Sequence, residues 1–170
     1  MTDSDASWEA IRRSEKKNAA TRKRLAAKAG LDDGKPTWCP KEWESRLDPW
    51  EFNFMVSDSF DALCNQGGLI HAFHCFFDTL PSSSAFIEES KVLDSWEALQ
   101  SLELPKLYML ARDELKNFGR ERFEDLEPEE EEELEKILDD AWIGGGVSIE
   151  IRLAEYANTN NGEQDAANGP

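Results

Sequence analysis

Only two histidines and three cysteines occur in 170 residues, and a disulfide scaffold is not indicated. Cys39, Cys64 and Cys75 are odd in number and stand at no framework spacing, so reduced thiols in the cytoplasm are expected. No stretch approaches the roughly 20 apolar residues of a membrane span. The opening Met1-Thr2-Asp3-Ser4-Asp5-Ala6 has no basic region leading into an apolar run, so no secretory leader is expected. Gly67-Gly68 and Gly144-Gly145-Gly146 lack the lysine and the spaced glycines of a phosphate-binding loop and read as turns. Basic charge is also scarce: 19 Lys and Arg face 36 Asp and Glu, a formal net charge of −17. Direct binding to DNA, RNA or an anionic membrane is thereby disfavoured, and basic proteins become the natural partner class.

Aromatic mass is plentiful. Six Trp, nine Phe and two Tyr within a 39% hydrophobic chain argue for a folded protein with one core, not an acidic disordered segment. Charge is uneven along the chain. Residues 1–35 hold nine basic against six acidic groups, whereas 36–170 hold ten against thirty. The densest part is Glu124 to Glu135, where nine of twelve residues are acidic.

Residues 5–29 are rich in Ala, Lys, Arg and Glu with Gly30 at the stop position, so a helix is predicted there. Its apolar stripe of Trp8, Ile11 and Leu25 is thin, and segment 1–35 reads as a basic, solvated appendage; folding back over the acidic body to compete with a partner is the alternative. Residues 36–47 read as a linker pinned by Trp38 and Trp43. The order Asp48-Pro49 predicts a helix start, followed by Phe52, Met55, Val56, Phe60 and Leu63 at helical spacing up to Gly67-Gly68. A buried aromatic helix carrying Phe73, Phe76 and Phe77 should then run to Pro81. Further helices are predicted from Ser82–Ser84 to Leu99, over Glu103–Asn117, and from Pro128 through Leu134, Ile137, Leu138 and Trp142. Residues 147–153 alternate like a strand but have no second strand to pair with, so a closing helix over Val147–Ala157 is favoured. Residues 159–170 read as a disordered tail. The expected fold is all-α: one compact domain, 48–158, of five to six helices, with the additional N-terminal helix.

Cys64, His71, His74 and Cys75 form the one set resembling metal ligands, because zinc prefers thiolate and imidazole. Their spacing is poor: His74 and Cys75 are adjacent and point about 100° apart on a helix. The favoured reading is that they complete an aromatic helix, with no metal and no cofactor. A nucleophilic pairing of Cys39 or Cys64 with His71 has no support in the neighbouring residues, and no catalytic residue is assigned. The carboxylates Glu124, Asp125, Glu127, Glu129, Glu130, Glu131, Glu132, Glu133, Glu135, Asp139 and Asp140 are the candidate partner-binding set. Part of that run suits the positive end of a helix dipole, and part is an ordinary solvated face. Five consecutive glutamates nevertheless repel one another beyond what a helix terminus needs. Carboxylates at i and i+4 lie about 6 Å apart, of the same order as successive phosphates of a nucleic-acid strand, so such a helix can occupy a groove lined for DNA.

Asn65-Gln66-Gly67-Gly68-Leu69, followed by an aromatic helix through Phe73, Phe76 and Phe77, resembles the signature of the Neisseria-type DNA-mimic proteins. The similarity spans about residues 48–157, with Asn65, Gly67, Gly68 and Phe73 as its structural motif; His71 and Cys75 stand where that family carries Gln and Asn. The resemblance implies an all-helical, dimeric, non-enzymatic protein whose acidic surface binds the DNA-binding face of a transcriptional regulator or other DNA-binding protein. An immunity-type inhibitor of a toxin or nuclease would use the same charge logic. A small metal-dependent enzyme built on His71 and His74 is the reading from a different class.

Overall fold

The computed structural model describes residues 3–30, 40–79, 88–100, 103–142 and 149–167. Among them the chain is all-α, with seven α-helices and no strand: α1 (Asp3–Lys28), α2 (Pro40–Arg46), α3 (Pro49–Phe73), α4 (Glu89–Ala98), α5 (Glu103–Asn117), α6 (Pro128–Trp142) and α7 (Ile149–Ala167). None of these helices is long and apolar enough to cross a membrane.

α3 is the axis of the fold, packing against α4, α7 and the π-helical segment His74–Thr79 that continues it. Pro49 stands in its first turn, and the Asp48 N–H donates to Glu51 Oε2 at 2.9 Å, so that Glu51 satisfies one orphan donor of the helix start. The break expected at Gly67-Gly68 is a kink. Gly68 adopts φ +83° and ψ −178°, a conformation that side-chain-bearing residues almost never take, and the helix resumes beyond it. A Cβ on Gly67 would approach the His71 ring to 2.7 Å, so close approach also excludes a side chain there. Past the kink, Phe73 is fully buried among Phe60, Tyr108 and Phe123 at centroid distances of 5.5–5.6 Å. Trp96 of α4 meets Phe60 edge-on at 4.7 Å, and Phe77 stacks on Tyr108 at 4.1 Å. This aromatic cluster binds α3, α4 and α5 into one core, with each such pair adding about 0.5–1.5 kcal/mol beyond area burial.

Four features differ from the sequence reading. α1 is no appendage: it packs along α7 and touches α3, with Ser14, Asn18, Leu25 and Ala29 buried. These positions recur at steps of four, seven and four residues, on one helix face, but two of the four are polar and one is Ala, so a stripe defined by hydrophobicity misses them. The ion pairs that α1 makes with the rest of the chain go to α3 and its N-cap, Asp48. The supposed linker contains α2, whose Trp43 is buried and whose Arg46 donates to the Ala29 carbonyl at the end of α1. Trp38 lies outside the described residues. The tail assigned to 159–170 is helical in its backbone as far as Ala167, because extending a started helix adds a hydrogen bond per residue without a new nucleus. α4 begins at Glu89; the earlier start at Ser82–Ser84 and Phe86 lies outside the described residues.

Candidate functional site

α5 ends in a Schellman turn. Gly119 takes φ +73°, its N–H donates to the Lys116 carbonyl at 3.0 Å, and the Arg120 N–H donates to the Leu115 carbonyl at 2.8 Å. That turn delivers the Arg120 guanidinium to the start of α6, where Nε and Nη2 donate to Glu130 at 2.9 and 3.2 Å, with Glu127 at 3.5 Å. Glu130 also accepts from the Glu127 N–H at 2.9 Å. This backbone hydrogen bond first, and Arg120 second, hold its carboxyl below the usual range. The loop before α6 is tied to the core by Asp78, a buried side chain whose Oδ2 accepts from the Glu124 N–H at 3.0 Å. Arg122 donates to the Asp78 carbonyl and pairs with the Glu124 carboxylate.

The candidate acidic set therefore divides. Glu124, Glu127 and Glu130 are engaged by Arg120 and Arg122 and build the N-terminal end of α6. Glu129, Glu131, Glu132, Glu133, Glu135, Asp139 and Asp140 are exposed, with no basic partner among the described residues; Asp125 is exposed on the preceding loop. Leu134 and Leu138, fully buried, fasten the other face of α6. Glu131, Glu135 and Asp139 follow one another at i+4, a rise of about 6 Å per step. Glu135 lies over the α3 kink, since a Cβ on Gly68 would sit 3.5 Å from its Oε1.

Asp139 also borders a cleft of about 720 Å³ between α1, α3, α6 and α7. Ile11, Leu69, Trp142 and Ile149 give it apolar walls; Glu15, Asp61 and Glu150 add carboxylates. Burial, with Glu150 and Asp58 nearby, raises the Asp61 carboxyl to about 7, against the opposing pull of Arg22 and the hydrogen bond from Asn65. Burial first and then Glu15 and Asp58 push Glu150 upward as well. Arg22 gives both arms of its fork to Asp58, Nε to Oδ2 at 2.5 Å and Nη2 to Oδ1 at 2.6 Å.

The sulfur and imidazole set does not converge. Cys75 Sγ lies 3.8 Å from His71 Nε2, while His74 faces Asp78 at 3.5 Å. Burial raises the Cys64 thiol far above its ordinary value. Among the described residues no three His, Cys, Asp or Glu side chains are placed to hold a metal ion. Cys39 lies outside them. Of the motif residues, Phe73 is core, Gly67 and Gly68 form the kink, and Asn65 is an exposed donor to Asp61 at 3.2 Å. No family model, no curated protein and no solved structure matches this chain.

Sequence reading missed Asp78, Asp61 and Arg22. Asp58 and Asp61 stand among the apolar positions of α3 at a three-residue step, and that polar intrusion into a buried stripe was the signal available.

Proposed function

We propose that this is a non-enzymatic interaction protein that presents the free face of α6 to a basic surface, in the manner of a DNA mimic, and so occupies the DNA-binding face of a regulator or another DNA-binding protein. The observation that carries this reading is the row of exposed carboxylates, without an ion-pair partner among the described residues, on a helix anchored by Leu134 and Leu138. Like charges at i and i+4 cost a helix a few tenths of a kcal/mol per pair, so a face of this kind sacrifices stability for field. Arg120 and Arg122 are used at the base of the helix and leave that field intact. The likeness to Neisseria-type DNA mimics, and the homodimer it implies, belong to this proposal. So does a cytoplasmic setting, which suits Cys64 and Cys75 as free thiols.

Long-range attraction speeds encounter, and apolar groups beside the charges prolong the complex. Binding should weaken steeply with salt, because exposed charges are screened within about 8 Å at physiological ionic strength. The test is capture of basic proteins at low salt followed by a graded salt wash, with the Glu131→Gln, Glu135→Gln, Asp139→Asn variant in parallel. Retention by the variant equal to that of the parent would defeat the proposal.

A further inference from the structure

The cleft between α1, α3, α6 and α7 contains more negative charge than its neighbours neutralise. Glu15, Asp61, Asp139 and Glu150 border it from four different helices. Arg22, the cation that acts on both Asp61 and Glu150, is committed to Asp58 by two short hydrogen bonds, and among the described residues Asp61 takes its direct hydrogen bond from the Asn65 amide. Among the described residues these carboxylates do not form a metal-binding group. Between them lie apolar walls from Leu69 and Trp142.

We propose that this cleft binds a small organic ammonium ion with an apolar body. Its volume, about 720 Å³, falls within the roughly 300–1,000 Å³ range of small-molecule sites. The ammonium group relieves the mutual repulsion of Asp61 and Glu150, while the hydrocarbon or aromatic body leaves water for Leu69 and Trp142. A bare inorganic cation would gain nothing from those walls. Protons compete for the same place: Asp61 is raised to about 7 by burial and by Glu150 and Asp58, against Arg22 and Asn65, so cation binding releases protons near neutrality. Affinity should accordingly rise with pH as Asp61 ionises.

The test is isothermal titration of the full chain with phenylbutylamine, phenylbutanol and phenylbutyrate, compounds that differ in charge but share a body. The amine should bind saturably with one equivalent, the alcohol at least about tenfold more weakly, and the carboxylate not measurably. Asp61→Asn should weaken the amine roughly tenfold, leave the alcohol unchanged, and flatten the rise in amine affinity between about pH 6 and pH 8. Glu15→Gln, an exposed change on α1, provides a second charge removal with little consequence for folding. Replacing Glu131 and Glu132 by Gln should leave amine binding intact, which separates this site from the α6 face. Equal affinity for amine and alcohol, unaltered amine binding in both Asp61→Asn and Glu15→Gln, or equal weakening by the α6 changes would each overturn the proposal.

Discussion

Arg22 holds Asp58 through both arms of its guanidinium, and that contact joins the basic N-terminal helix to the centre of the fold. The Asp58 side chain is 6% exposed, and burial pushes its carboxyl upward while Arg22 restrains the rise. Nearer the end of α1, Lys28 pairs with Asp48 at 2.8 Å and with the buried Glu51, and Arg24 lies over the Trp50 ring at 5.5 Å. These links place α1 within the domain.

Removing the guanidinium leaves a buried carboxylate without its cation. Arg22→Ala should cost about 2–3 kcal/mol, which denaturant unfolding would measure. The loss should be larger at pH 8 than at pH 5, because at lower pH Asp58 can take up a proton instead of remaining ionised and unpaired. Deleting residues 1–30 should be more damaging still and should lower the cooperativity of unfolding, since the face of α7 that α1 covers would meet water. An unchanged transition would show that α1 is dispensable.

Asp61 contributes a pH dependence of the opposite kind from an ordinary salt-bridged carboxylate. Its folded-state value, about 7, lies above the ordinary carboxylate value of 3.8, so between these limits the folded chain binds more protons than the unfolded one. Its contribution is therefore fully favourable below the unfolded value, declines as pH rises, and is lost above the folded value. Asp61→Asn should stabilise the protein by about 1–2 kcal/mol at pH 8, allowing for solvent screening, and change little at pH 4. Thermal melts of both proteins across this range check the sign directly.

Gly68 occupies a backbone region reserved for glycine. Gly68→Ala should destabilise by about 1–3 kcal/mol, seen as a lower denaturant midpoint with an unaltered slope. A neutral result would mean that the kink relaxes without cost.

The two faces of α6 should respond in opposite directions. Leu134→Ala removes a fully buried side chain and should cost about 2–4 kcal/mol. Changing Glu131 and Glu135 to Gln relieves an i, i+4 repulsion and should stabilise by about 0.2–0.5 kcal/mol. Chemical denaturation separates them. A carboxylate face whose neutralisation destabilised the fold would be structural in purpose.

Much of the helical framework was legible because local chemistry marks it: Pro49 and Pro128 stand in first turns, Gly119 ends α5, and Phe60, Phe73 and Trp96 recur on buried faces. What escaped is tertiary. α1 is buried through Ser14, Asn18 and Ala29, which carry almost no hydrophobic signal, and Asn18 donates to the Glu150 carbonyl 132 residues away at 2.8 Å. The division of the acidic run depends on Arg120, placed by the Schellman turn; sequence shows both charges but not their pairing. The cleft brings together four helices, and nothing local to Asp61 reveals that Glu150 lies near it.

The central claim is that the α6 carboxylates compete with nucleic acid for a basic surface. The most direct measurement is displacement of a labelled DNA duplex from a DNA-binding protein captured at low salt, titrated with the parent chain and with a variant neutralised at Glu129, Glu131–Glu133, Glu135, Asp139 and Asp140. The parent should release the duplex, with an effect that fades as salt is raised, and the variant should not. Equal release by both, or release indifferent to salt, would contradict the account.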